Sequence, residues 1–419
     1  MTQSNIDRQF VQDPAGTLHA GVDLALEKNV VVVVNERAER LDHFSFPQDW
    51  GGYDYFLRRL DGLRQKHQAA KVVVAMEPTN YFWKLLARRL EETQQTYRLV
   101  NAYTVKKHRE GDQLDRSKDD RRDAGQIAEL SRNSKTTQTQ LQKGTYEELR
   151  HYATLYHQLM QSIRREKTIL WGLIGQVFPE LVRAFKDIEG ETYQALLMTC
   201  AAAAAIRQLS PDVFLTQVRA TYSGKRLCIS KLKRVHQLAA RSIGVTEGLQ
   251  AIQLAIQVHL NQLRIFKTQL EQVTGAMTAR LFSLPEALYL LSCPCLKPTS
   301  AALFLAEVGD PQRYQKAAQW VKLAGIQPVP NTSGRKQRSR TPMSHQGRPH
   351  LRTLLYFSCL RMIQYDTRFA QLYSYLQRRK DNPLTKMQAL GVLMNKLLHI
   401  WWALIQNQTF YNPSFGQSV

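Results

Sequence analysis

The sequence predicts an α/β domain at the N-terminal end, followed by long helices and then by a mostly helical C-terminal domain. Three observations carry that expectation. Short apolar runs rich in β-branched residues alternate with helix-period stretches from Leu18 onward. Beyond Ser134 the strand signals largely stop. Two long segments, Tyr146 to Leu173 and Leu238 to Leu281, then carry heptad-like apolar spacing with few breakers.

Taken in order, residues 1–16 read as a flexible arm. Leu18 to Leu26 is strand-like and contains Gly21-Val22-Asp23, with a turn at Glu27-Lys28-Asn29. Val30 to Val34 is an unbroken run of valine, the mark of a buried strand. Leu41 to Phe46 alternates as a third strand. Tyr53 to His67 is an amphipathic helix with Phe56, Leu57, Leu60 and Leu63 on its apolar face. Lys71 to Met76 is a fourth strand ending at Glu77-Pro78, Tyr81 to Leu90 a helix, and Tyr97 to Val100 a short fifth strand. Three strands, helix, strand, helix, strand and helix is the order of the ribonuclease-H-like fold. The boundaries that follow are 17–140 for this domain, 141–283 for a helical, coiled-coil spacer, and 284–419 for the C-terminal domain. Leu351 to Leu404 reads as helical, and Asn331 to Arg352 as a loop punctuated by Pro, Gly and Ser.

Composition restricts the partners. Lys and Arg number 57 against 35 Asp and Glu, a net charge of +22. So large an excess of cations points to a polyanion, foremost nucleic acid. The N-terminus lacks a signal-peptide apolar core, and the most apolar stretch, Ala195 to Ile206, is too short to span a bilayer. The five cysteines are scattered and lack zinc-ligand spacing, which reads as reduced thiols in a cytoplasmic protein with no metal role.

The chemistry concentrates in carboxylates. Ser117-Lys118-Asp119-Asp120-Arg121-Arg122-Asp123-Ala124 precedes an apolar-periodic run, so a helix is expected to begin there. Asp120 and Asp123 then share a face. The plain alternative is an N-cap with dipole-complementing acids in the first turn. Asp23 ends the first predicted strand and Glu77 ends the fourth; in a ribonuclease-H-like sheet those strands are neighbours. The plain alternatives are a turn residue for Asp23 and a surface acid for Glu77. Together the four acids suit Mg²⁺, which prefers carboxylates and water, and two such ions about 4 Å apart serve phosphoryl transfer. Asp115 and Asp119 are possible substitutes for either helix ligand.

A second centre is Thr332-Ser333-Gly334, followed by Arg335-Lys336-Gln337-Arg338-Ser339-Arg340. A serine in a cation-rich loop fits a nucleophile whose phosphate adduct is held by arginines; the alternative is a phosphate-binding loop without chemistry. Lys118, Arg121, Arg122, Arg335, Lys336, Arg338, Arg340, Arg348 and Arg352 are the candidate nucleic-acid contacts around the two centres. The basic run Arg207 to Arg241 is a further one.

Gly21-Val22-Asp23, Ala75-Met76-Glu77-Pro78-Thr79-Asn80-Tyr81-Phe82-Trp83, Val100-Asn101-Ala102 and Asp119 to Ala124 resemble the N-terminal DEDD domain of the IS one-ten insertion-sequence family of transposases. Leu303 to Asp310, Ala324 to Pro328, Thr332 to Gly334, Gln346 to Leu355 and Met387 to Leu398 resemble its C-terminal domain. The resemblance implies a RuvC-like nuclease domain with metal ligands Asp23, Glu77, Asp120 and Asp123, a coiled-coil spacer, and a nucleophilic Ser333, with Ser339 and Ser344 close by in sequence. It implies a Mg²⁺-dependent recombinase guided by a structured bridge RNA that pairs with target and donor DNA. It also implies a homo-oligomer, a dimer or tetramer with composite sites, in a prokaryotic cytoplasm. One departure is that Pro294-Cys295-Leu296-Lys297 stands where the family has a Pro-Gly-Ile-Gly hairpin. Two other readings fit the composition equally: a RuvC-like nuclease that uses water, and a non-catalytic nucleic-acid-binding protein.

Overall fold

The computed structural model describes residues 13–78, 81–101, 104–105, 119–133, 137–138, 141–185, 187–224, 226–329, 332–333, 336–337 and 342–413. At 137–138, 332–333 and 336–337 it describes the backbone alone. The chain forms two compact units, Met1–Leu141 and Gln142–Val419.

The first unit is built on a sheet of strands β1 (Thr17–Asp23), β2 (Lys28–Val34), β3 (Arg40–Pro47), β4 (Lys71–Met76), β5 (Tyr97–Leu99) and β6 (Thr137–Gln138). Their spatial order is β3-β2-β1-β4-β5-β6. β1 to β3 form an antiparallel meander, and β4 and β5 extend it in parallel. Strands alternate their side chains between two faces. On one face Leu18, Ala20 and Val22 of β1 join Val72, Val74 and Met76 of β4 in a core closed by α1 (Trp50–Lys66) and α2 (Phe82–Glu92). Asp49 caps α1 by accepting from the Gly52 amide at 2.7 Å. The opposite face carries Val32 and Val34 and is covered by α3 (Asp120–Arg132) through Ala124 and Ala128. Burial on both faces explains why the central strands are nearly continuous in valine.

Part of the expected N-terminal arm is placed. Asp13 accepts two hydrogen bonds from the buried Arg98 guanidinium and pairs with Lys71 at 2.7 Å. The segment before β1 is thereby fastened to β4 and β5.

In the second unit, α4 (Thr145–Val177) and α10 (Leu249–Leu281) are each 33 residues long and run antiparallel against each other. The direction is fixed by the Glu148–Arg280 ion pair, the Glu166–His259 hydrogen bond and the bond from the Val245 amide to the Gln176 carbonyl. The apolar seams that carry the heptad-like spacing are therefore occupied within the chain. Between these helices lie α5 (Pro179–Ala184), α6 (Glu191–Thr199), α7 (Ala203–Arg207), α8 (Pro211–Thr221) and α9 (Ile229–Ala239), packed around Phe178, Tyr193, Phe214 and Leu232. The expected single helix Leu238 to Leu281 is interrupted after Ala239. Gly244 lies so close to the Val177 carbonyl that a Cβ would sit 2.1 Å from it, and Gly248 adopts φ +67° ahead of α10.

The C-terminal part comprises α11 (Glu286–Leu291), α12 (Pro298–Val308), α13 (Ala317–Ala324), α14 (Pro349–Tyr365), α15 (Thr367–Arg378) and α16 (Lys386–Gln406), around Phe304, Trp320 and Trp401. The continuous helical stretch expected over Leu351 to Leu404 breaks twice: at Asp366, which caps α15, and at Asn382-Pro383. The turn from α11 to α12 forms without the family's glycines; none of residues 292–297 has positive φ, and both Cys293 and Cys295 are buried.

Candidate active site

Asp23 and Glu77 are brought side by side by backbone register. β1 and β4 are parallel, with Val22 opposite Met76, so the next residues, Asp23 and Glu77, leave the sheet side by side. Neighbouring strands lie about 4.8 Å apart. Asp23 follows His19 and Gly21 on the α3 face, and Glu77 follows Val73 and Ala75 on the same face. The turn after Asp23 is held by buried Asn29, which accepts from the Ala25 amide at 3.0 Å and donates to Gln48 at 2.6 Å.

Helix α3 runs across this face in a fixed register. At one end Ser131 and His19 share a 3.1 Å hydrogen bond. Two residues further along β1, Gly21 meets the helix backbone: a Cβ there would lie 2.1 Å from the Ala124 carbonyl oxygen and 2.4 Å from the Ala128 nitrogen. Two strand residues advance about as far as four helical residues. One more step brings the first turn of α3 over Asp23. Within that turn the two acids divide. Asp123 stands four residues before Ile127, which packs with Ala75 of β4, and Asp123 is itself buried. Asp120 is exposed and lines a groove of about 310 Å³ with Lys28, Val30, His43 and Arg121. Val30 is the β2 residue that pairs with Asp23.

Asp119 caps α3, its side chain accepting from the Arg121 amide at 3.0 Å. Arg121 and Arg122 are exposed on the same first turn. Lys118 and Asp115 lie outside the described residues. Lys28 and His43 are groove residues that sequence reasoning missed; they sit among the ordinary polar residues Glu27, Asn29, Asp42 and Ser45, and only the meander brings them beside Asp120. Burial pushes the His19 imidazole down to about 4, so the group that anchors the far end of α3 is neutral near pH 7.

Among the described residues no group of three or more His, Cys, Asp or Glu side chains is arranged to hold a metal ion. The donor set still fits a hard divalent cation in kind: carboxylates only, at the mouths of two parallel strands and on the first turn of the helix that faces them.

The second centre is a hairpin in the other unit. Gln327–Val329 runs against Pro342–Ser344, with the Val329 amide donating to Pro342 and the Ser344 amide to Gln327. Further out, β7 (Thr332–Ser333) pairs with β8 (Lys336–Gln337), placing Ser333 opposite Lys336. The described residues of the expected loop thus pair as short strands. The base of the hairpin is clamped where Gly325, at φ +67°, meets Gly347; a Cβ on Gly347 would lie 2.4 Å from the Gly325 nitrogen. Arg335, Arg338, Ser339 and Arg340 lie outside the described residues, and the Ser333 and Lys336 side chains likewise. Arg348 and Arg352, expected as nucleic-acid contacts, brace this base: Arg348 reaches the Glu307 carbonyl and carboxylate, and Arg352 donates to the Ala324 carbonyl at 2.9 Å.

A meander extended by parallel strands, with acids at the ends of β1 and β4 and a helix bearing two more, defines a ribonuclease-H-like domain of the DEDD class. Residues 20–179 match a transposase family, the DEDD transposase domain of the IS110 group, and residues 287–374 match the transposase IS116/IS110/IS902 family. The chain belongs to the IS110 family of transposases. It is 30% identical over 129 residues to a probable family 20 transposase of Pseudomonas aeruginosa, covering 30% of this chain and 36% of that one. It is 29% identical over 124 residues to a 44.8 kDa protein of insertion element IS116 from Streptomyces clavuligerus, covering 29% and 30%. A 43.6 kDa protein of insertion element IS110 from Streptomyces coelicolor is 22% identical over 307 residues, 72% of this chain and 74% of the relative. The chain thus spans about a third of the first two relatives. Among the described residues no helix is long and apolar enough to cross a membrane.

Proposed function

We propose that the chain is the recombinase of an insertion element, cutting and rejoining DNA through a serine–phosphate link. The observation that carries the reading is the convergence of Asp23, Glu77 and the first turn of α3 on one end of the sheet. Mg²⁺ held by Asp23, Glu77, Asp120 and Asp123 would supply charge stabilisation for phosphoryl transfer and activation of an attacking hydroxyl. Ser333 is the attacking group. Its oxygen forms a bond to phosphorus as the phosphodiester oxygen leaves, taking a proton. Because the new link is again a phosphodiester, the reverse attack by a DNA hydroxyl religates without a nucleotide cofactor. The hairpin clamped at Gly325 and Gly347 gives the serine a defined point of delivery, and Arg335, Lys336, Arg338 and Arg340 would hold the transferred phosphate.

Three further features are proposed on the strength of the family resemblance. A structured bridge RNA selects target and donor by pairing, which frees the protein from reading bases. Subunits associate as a dimer or tetramer, with the acids of one subunit serving the serine of another. The domains divide at 17–140, 141–283 and 284–419.

The test is a denaturation-resistant protein–DNA adduct. With Mg²⁺, guide RNA and target DNA, the wild-type protein gives an adduct whose modified residue, located by mass spectrometry, is Ser333, and Ser333→Ala gives none. Adduct on Ser339 or Ser344 would move the nucleophile. Cleavage by Ser333→Ala at the wild-type rate would make a water-using nuclease the better description.

A further inference from the structure

The helical module between α4 and α10 has a role that the two catalytic centres leave unassigned. It sits at the far end of a paired-helix arm. Ala153 of α4 packs in the C-terminal core and Val177 packs in the core of the module. The module's core takes over from Ile163 of α4, ten residues or about 15 Å of helix beyond Ala153. One face of α9 is strongly basic. In α9, Leu232, Val235 and Ala239 are buried, which turns Lys233, Arg234 and Gln237 to the opposite, outward face. Arg241 follows on the same side, and Arg234, Gln237 and Arg241 line one groove of about 660 Å³.

Three of the module's acids are engaged away from these cations. Glu189 is held by Lys167 and Lys267, and Glu191 by the Tyr222 hydroxyl. Glu180, which borders the groove, accepts from the Ser242 hydroxyl and the Ile243 amide. Lys233, Arg234 and Arg241 are all exposed, and none has an acidic partner among the described residues.

We propose that the outward face of α9, with Arg241 beyond it, binds the phosphate backbone of double-stranded DNA. The proposal rests on the reading of the chain as a DNA recombinase. Uncompensated cations on a helix face, with a groove instead of an apolar patch, fit a sequence-independent backbone contact. Duplex DNA is the occupant that a recombinase must engage, and a structured RNA is the other outcome of the test.

The experiment compares full-length wild-type protein with a Lys233→Ala/Arg234→Ala/Arg241→Ala variant on a long DNA duplex and on a structured RNA, across a salt series. Each lost phosphate contact lowers the slope of log affinity against log salt by about 0.9. The triple variant is expected to lose between about two and three in slope and at least about tenfold in affinity for duplex DNA at physiological salt. Its melting temperature should be unchanged, and Lys233→Arg/Arg234→Lys/Arg241→Lys should restore binding. An unaltered slope on DNA overturns the α9 contact, as does a loss confined to RNA. If wild-type protein binds no duplex at all, the recombinase reading falls with it; if it binds and only the variant is unaffected, the α9 contact alone falls.

Discussion

Gly21 is the point at which a single methyl group tests the link between fold and site. In Gly21→Ala the new Cβ would fall 2.1 Å from the Ala124 carbonyl oxygen and 2.4 Å from the Ala128 nitrogen, where ordinary contact begins near 3.4 Å. Both obstacles are backbone, so no rotamer change relieves them. Helix α3 must lift from β1 by more than about 1 Å, or the strand must bend. Overpacking of this kind costs about 1–3 kcal/mol. The larger consequence is for the acids, because the lift is applied between Gly21 and the turn that carries Asp120 and Asp123. A misplacement of about 1 Å at a phosphoryl-transfer site costs on the order of a hundredfold in rate. Strand cleavage should therefore fall about a hundredfold in a protein that still folds, with a melting temperature lowered by a few degrees. Thermal unfolding by circular dichroism and cleavage of a labelled duplex under single-turnover conditions read the two effects separately. Wild-type cleavage in a Gly21→Ala protein would refute the argument that α3 sets the geometry of the acids.

Three other perturbations have defined outcomes. Asp120→Asn and Asp123→Asn should each abolish cleavage while leaving RNA binding intact, whereas Asp119→Asn, which preserves the cap on α3, should be nearly silent; equal loss in all three would mean the ligand register is wrong. Asp13→Ala leaves the Arg98 guanidinium buried without its carboxylate and should destabilise the first unit by about 3–5 kcal/mol in urea unfolding; a change below about 1 kcal/mol would show that Arg98 finds another partner. Stability should also fall on acidification. His19, neutral in the fold to about pH 4, protonates near 6.5 once unfolded, so lowering the pH through that window favours the unfolded chain by up to about 3 kcal/mol. Burial acts to raise the Asp13 carboxyl, but its bonds from Lys71 and Arg98 hold it below its ordinary value, which adds loss in the same direction at still lower pH. Urea midpoints that do not change between pH 7 and 5 would contradict the buried neutral histidine.

Much of the first unit was legible because short-range patterning decides it. The valine run, the alternation of Leu41 to Phe46 and the strand-ending acids at Asp23 and Glu77 are local signals. Their order alone indicates a meander extended by parallel strands, and the observed sheet has that order. The N-cap at Asp119 follows from local spacing, whereas the burial of Asp123 beside an exposed Asp120 does not. What the sequence could not settle was which partner each face meets. The long apolar seams of α4 and α10 satisfy a heptad pattern whether the other helix belongs to the same chain or to another, and only the tertiary fold pairs them with each other. Helix Leu238 to Leu281 looked continuous because a glycine within a helix pattern is tolerated; close approach to Val177 makes Gly244 a break. Charge alone offered Arg348 and Arg352 as nucleic-acid contacts and says nothing of distance; the fold brings the Glu307 carboxylate and the Ala324 carbonyl within their reach. The sequence determined the chemistry available at each position, because residue type and spacing are local properties. The tertiary structure decided which groups meet, because a contact between Gly21 and Ala124, or between Arg98 and Asp13, depends on how strands and helices pack across a hundred residues of chain.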